Sequence, residues 1–281
     1  MFVLTDTVTA NGLHMRDIEP KGRRFYRSRN TLTAETFDWS NYGAIPVDTP
    51  FWDDMISSSA RAGLDAAKQS LKPAMFVWAL MAMVAVLYYA VPASQGLFTA
   101  LSALQNRLGL LFPFLGMGLS VGILAEIVQV LISDDKRWKQ ANTINALFNL
   151  SIFGILGVMQ NYFYMLQTRI FGSGTAWHVL LPKVLFDQFV WTVFWANPYQ
   201  TVLYLWKNQG FNCRAVTSQM RPFKPFWGTQ ILPVLITNWA FWIPMVSIIY
   251  CFPPELQLPL AILAVTIWVL LLSILTSKKS A

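Results

Sequence analysis

The sequence predicts an all-α fold: a polytopic transmembrane helical bundle of about six spans, with a polar N-terminal arm and an amphipathic surface helix before it. Three observations carry that expectation. Hydrophobic residues make up 55% of the 281 and charged residues only 12%, against roughly 25% charged in soluble domains. Apolar stretches of bilayer-spanning length occur six times along the chain. Of the 21 Lys and Arg residues, 18 fall in the N-terminal tail and in alternate connections after it, the pattern expected when cationic loops stay on one side of a membrane.

The same arithmetic excludes other classes. Two cysteines cannot form a disulfide scaffold, and so few charges could not cover the surface of a soluble fold of this size. Residues 1–73 hold nine basic and nine acidic side chains, so the net charge of +7 belongs wholly to the remainder. In a membrane protein such an excess sets topology, and no direct nucleic-acid partner is expected.

The first region, 1–73, is a polar arm. Met1–Ala10 lacks both the basic start and the apolar core of a secretory signal. Lys21, Arg23, Arg24, Arg27 and Arg29 form a basic run, but Asp17 and Glu19 interrupt it, whereas a cleavable mitochondrial presequence is poor in acids. The arm is therefore expected to be retained. Thr49 and Pro50 followed by Asp53 and Asp54 make a helix start: a capping hydroxyl, proline in the first turn and acids at the positive end of the dipole. Phe51, Trp52, Met55, Ile56 and Leu64 then share one face, so a helix over about 49–72 either lies at the membrane surface or packs on the protein's own loops.

The spans follow as Ala74–Val91, Leu108–Ile132, Thr143–Leu166, His178–Trp206, Thr229–Phe252 and Leu258–Ser277. Residues 74–107 hold the first span and its loop, 108–277 the rest of the bundle, and 278–281 a short basic tail. Six crossings return the chain to its starting side, which puts both termini on the more basic face.

Enzyme chemistry lacks its parts. His14 and His178 are the only histidines, Cys213 and Cys251 stand far apart, and there is no CxxC, HExxH or GxxxxGK[ST] motif. Gly172-Ser173-Gly174 reads as a turn. No catalytic residue, cofactor site or metal site is expected, and the chain is not expected to be an enzyme.

Polar groups inside the spans carry more information. Glu126 and Gln129 lie toward the end of the second span, and Lys183, Asp187 and Gln188 lie within the fourth. A charge at mid-bilayer costs about 2.5–3.5 kcal/mol on insertion scales, so such residues face a cavity, a partner or one another. Lys183 and Asp187 have the i,i+4 spacing of a helical ion pair. These five residues are candidates for a hydrophilic path or a buried structural pair. Asn145, Asn149, Gln160, Asn161, Asn197, Gln200, Gln230 and Asn238 add amides suited to lining a pore or to bonding between helices. Gly118 with Gly122, and Gly154 with Gly157, mark close helix packing, while Trp239, Phe241, Trp242 and Tyr250 read as interface anchors and packing.

The C-terminal stretch LPVLITNWAFWIPMVSIIYCFPP, followed by TIWVLLLS, resembles the signature of the Mpv-seventeen/peroxisomal membrane protein family (the twenty-two-kilodalton protein of that name included). The likeness runs through Asn238, Trp242 and Pro244, resumes at Pro253 and Pro254, and closes at Trp268 and Ser273. Upstream, Lys183, Asp187 and Gln188 are similar to the family's Lys-x-x-x-Asp-Gln element. Gly157, Tyr164 and Arg169 are similar to its Gly-Pro…Trp-Tyr…Arg element, and Gly122 with Gln129 to its Gly-Asp-x-x-x-Gln element. The chain departs from the family pattern at Ile243, Val246, Ile249 and Leu258, where proline or polar groups are usual, and at Tyr250, where phenylalanine is usual.

The resemblance implies an organelle membrane protein, of the mitochondrial inner membrane or of peroxisomes, with its termini in the matrix in the mitochondrial case. It implies a part in mitochondrial homeostasis, with no cofactor. Two functions fit: a channel or metabolite-permeability protein for small solutes or ions, or a non-catalytic accessory subunit serving as a scaffold in a large assembly such as the respiratory chain or ATP synthase. The bilayer is the partner in either case. The second also needs protein partners, met through the N-terminal arm.

Overall fold

A computed structural model describes residues 50–133 and 135–277, and within them every regular element is helical. In chain order these are α1 (Pro50–Ala90), α2 (Gln95–Leu108), α3 (Leu111–Ile132), α4 (Gln140–Phe171), α5 (Trp177–Asn208), α6 (Cys213–Gln219), α7 (Phe223–Ile249) and α8 (Pro254–Ser277). All but α2 and α6 contain a segment long and apolar enough to cross a membrane, six in total. The chain is thus a multi-pass helical membrane protein. The arm over 1–49 and the basic tail over 278–281 lie outside the described residues.

One boundary differs from expectation. The surface helix and the first span are a single helix of 41 residues that runs through Pro73. Its N-terminal half rests on α7, not on loops. A Cβ on Gly63 would come within 2.8 Å of Pro233, Gly228 lies against Ile56, and Lys224 pairs with Asp53 at 3.7 Å. The contacts climb both helices together. The Thr237 hydroxyl donates to the Gly63 carbonyl at 3.2 Å, the Trp78 indole donates to the Phe241 carbonyl at 3.0 Å, and the Tyr89 hydroxyl donates to the Cys251 carbonyl. Spans one and five are therefore parallel, as an alternating six-span path requires.

Within the bundle, α8 is the hub. Of its apolar window 61% is buried, against 17% for α1. Leu260, Ala264 and Trp268 project from it into a core shared with Met81, Phe241, Met245 and Phe252. The opposite wall is the α3–α4 pair, where glycines replace side chains. A Cβ on Gly118 would lie 2.7 Å from the Leu150 carbonyl oxygen, and one on Gly122 would lie 2.6 Å from the Leu150 nitrogen. Gly157 meets the Pro113 carbonyl in return. Small residues let two backbones approach to van der Waals contact, the chief source of association between helices in lipid.

Three stretches widen to π-helix: Leu119–Leu124, Asp187–Ala196 and Trp227–Ile231. The second and third end two residues before a proline, Pro198 and Pro233. Proline offers no N–H, and its ring collides with the carbonyl four residues earlier, so the preceding turn opens. In α5 this wide stretch carries the polar side chains at the centre of the bundle.

Candidate functional site: a polar cavity inside the bundle

A cavity of about 100 Å³ lies among α3, α4, α5, α7 and α8. Its polar lining comes mainly from α5, which contributes Asp187, Gln188, Thr192, Asn197 and Gln200. Gln160 and Tyr164 enter from α4 and Asn238 from α7. Trp191, Trp242 and Trp268 supply much of the apolar wall. Four of the amides expected to line a pore or to bond between helices (Gln160, Asn197, Gln200 and Asn238) thus meet here with Asp187 and Gln188 of the polar-path candidates, from three different spans.

Asp187 is buried, with 4% of its surface exposed. The expected ion pair with Lys183 is not formed: among the described residues, no carboxylate lies within ion-pairing distance of the Lys183 ammonium. Instead the Tyr250 hydroxyl donates to Oδ2 of Asp187, and Gln188 Nε2 donates to Oδ1 at 2.9 Å, with the Thr192 hydroxyl close by. Neutral donors, not an ammonium, satisfy the carboxylate. Lys183 is also buried, but its Nζ sits 6.0 Å from the centroid of the Tyr250 ring. Tyr250 is therefore no interface anchor; it is 1% exposed and closes the cluster from the turn between α7 and α8.

Other bonds fix the walls. The Trp191 indole donates to Gln160 Oε1 at 2.9 Å, and its ring stacks on Phe163 with centroids 4.4 Å apart. The Trp239 indole donates to the Gln188 carbonyl at 2.8 Å, and Trp268 stacks on Phe241 at 4.0 Å. Among the residues that line the cavity, two amide atoms remain without partners in the protein: Oε1 of Gln188 and Nδ2 of Asn197, both fully buried. A buried polar group left unpaired costs about 1–3 kcal/mol, so each is a local cost to the fold.

Glu126 and Gln129 are not part of this cluster. Glu126 is buried at the other end of the bundle and accepts from Asn142 Nδ2 at 2.9 Å; Gln129 is half-buried and lines no part of the cavity. Near Glu126, Lys207 Nζ donates to Asn145 and the Tyr204 hydroxyl donates to Asn149. Between the two clusters the Tyr199 hydroxyl donates to the Ile152 carbonyl at 3.0 Å. The seam between α4 and α5 thus carries polar contacts along most of its length.

Of the signature positions, Tyr164, Asn238, Trp242 and Trp268 line the cavity. Gly157 is a packing contact, Pro244 lies within α7, Pro254 opens α8, Arg169 is exposed in the last turn of α4, and Ser273 lies on α8 with its side chain outside the description. Sequence reasoning missed Trp191, Thr192 and the role of Tyr250. Pro198 was the available signal for a widened turn over the first two, while nothing local points from Tyr250 to Asp187. Comparison of the chain with protein-family models, with curated proteins and with solved structures finds no match.

Proposed function

We propose that this protein is a membrane permeability protein that passes small solutes or ions through the interior of its helical bundle. The observation that carries the reading is the cavity itself: amides from three spans converge on it, and Gln188, Asn197, Gln200 and Asn238 among them are buried. Polar residues in lipid are costly and face cavities or pathways where they are kept. The resemblance noted in the sequence supports a place in the mitochondrial inner membrane, with peroxisomes the second address and the termini facing the matrix.

Reconstitution in lipid vesicles tests this. Solute or ion flux above that of empty vesicles, reduced when Ala261→Phe fills the cavity, is the expected result. A protein that passes nothing, and that co-migrates on native gels with a respiratory complex until residues 1–48 are deleted, would replace the permeability role by that of an accessory subunit. Co-fractionation with inner-membrane markers checks the address.

A further inference from the structure

We infer that α2 is an interfacial anchor: it lies in the plane of the membrane, at the end of the bundle that holds the turn between α7 and α8, with one row of leucines sunk among the acyl chains of that leaflet. The inference goes beyond the permeability reading and holds whatever the bundle passes.

The helix has three distinct faces. At 3.6 residues per turn, Leu97, Leu101, Leu104 and Leu108 fall within about 60° of one another. Leu97 is 71% exposed and Leu104 46%, and Leu108 is exposed as well. A second face, about a quarter-turn away, packs on the protein. Its Phe98 is buried, edge-on to Tyr88 with centroids 5.0 Å apart and against Phe252 at 6.5 Å. The third face, opposite the leucines, is polar and open, with Thr99 and Asn106. One face for protein, one for water and one for acyl chains is the pattern of a helix lying at a membrane interface.

The place of α2 in the chain supplies the lipid. Its 14 residues extend about 21 Å, too short to cross a core of roughly 30 Å. Phe98 ties it to two sites at one end of the bundle, the last turn of α1 and the turn between α7 and α8. The chain then enters the second span through Leu110, Leu111 and Leu115, all exposed. The outside of a span faces acyl chains, so the leucine row extends a surface that lipid covers, and a contiguous exposed apolar patch of this kind marks a membrane contact. Arg107, the one charged residue of α2, flanks the row, and its long stem can bring the guanidinium to the headgroup phosphates. Because Phe98 also bears on Phe252, two residues beyond Tyr250, the anchor holds the turn that closes the polar cluster.

The test uses the full chain in phosphatidylcholine vesicles, with Cys213→Ser, Cys251→Ser and a single nitrobenzoxadiazole label on Leu97→Cys, Leu104→Cys or Thr99→Cys. All three side chains are exposed, so the variants should keep the native packing. Lipid carrying a nitroxide high on its acyl chain should quench the labels at Leu97 and Leu104 by about threefold or more, while iodide on both sides of the membrane leaves them bright. The label at Thr99 should show the reverse. Iodide quenching at Leu97 and Leu104 would overturn the inference by placing the row in water. Labels there that neither quencher reaches would overturn it in favour of a second copy or another protein covering the row. Equal lipid quenching at all three positions would overturn it too, because a helix embedded on every side has no face for water.

Discussion

The Tyr250 hydroxyl donates to Oδ2 of Asp187 across 63 positions of sequence, tying the turn between α7 and α8 to the interior of α5. That bond replaces the local pairing with Lys183 that helical spacing invites. It makes the acid of the fourth span a tertiary fixture.

Coupling energies follow from this geometry. A double-mutant cycle between Tyr250→Phe and Asp187→Asn should return about 1–3 kcal/mol, the value of a buried hydrogen bond to a charged group. The cycle between Lys183→Met and Asp187→Asn should return less than about 0.5 kcal/mol. Thermal unfolding in detergent measures both. A larger coupling for Lys183 than for Tyr250 would mean that the ammonium holds the acid after all.

The glycine seam between α3 and α4 gives a second expectation. Gly118→Ala and Gly122→Ala place a methyl group against backbone atoms of Leu150 that cannot rotate aside. Each should cost about 1–3 kcal/mol. Gly174→Ala, whose nearest neighbour would be a Val179 methyl at 3.8 Å, should change little. Melting temperatures of the three variants decide it, and equal losses would count against close packing at the seam.

Topology can be read from the two native thiols. Cys213 is exposed in the connection between the fourth and fifth spans, which a six-span path is expected to put on the side of both termini. Cys251 is half-buried in the turn between the fifth and sixth spans, on the opposite side. A membrane-impermeant maleimide should label each from one face only, and the faces should differ. Burial pushes the Cys251 thiol up, so little of it is thiolate at neutral pH and its labelling should accelerate as pH rises. Labelling of both thiols from one face would break the six-span path.

Asn197 provides a fourth expectation, independent of flux. Because its Nδ2 is buried without a partner, Asn197→Leu should hold or raise stability, whereas Gln188→Leu should lower it by about 1–3 kcal/mol by leaving Asp187 Oδ1 without its donor. Chemical or thermal denaturation of the two variants checks the contrast.

Much of this architecture was legible in one dimension. Spans of hydrophobic residues and the alternation of Lys and Arg locate six crossings because lipid imposes the same length and charge rules on any chain. The amides at 160, 188, 197, 200 and 238 stand out because polar groups in lipid need a reason. What stayed hidden depends on distance and on helix phase. Asp187 and Tyr250 are joined by folding alone. The π-turn over Asp187–Ala196 shifts Trp191 and Thr192 away from where a 3.6-residue period would put them. Glu126 looked like a companion of Asp187 by chemistry, yet the run of α4 and α5 separates them. The surface helix and the first span read as two elements because charged residues give way to an apolar run at Ala74, whereas the folded chain carries one helix through Pro73, its first half packed on α7 at Gly63.

A consequence follows from the unbroken course of α1. At 1.5 Å per residue its 41 residues extend about 60 Å, twice the roughly 30 Å of a bilayer core. Asp53, Arg61, Asp65, Lys68 and Lys72 make its first half costly to place in a bilayer core, so that half is expected outside it. That half is not free: Gly63 and Asp53 hold it along α7. Farther along the same helix the Trp78 indole grips the Phe241 carbonyl, and Phe241 lies flat against Trp268 of the cavity wall. A shift of α1 along α7 would be felt, through three rings, at the cavity wall.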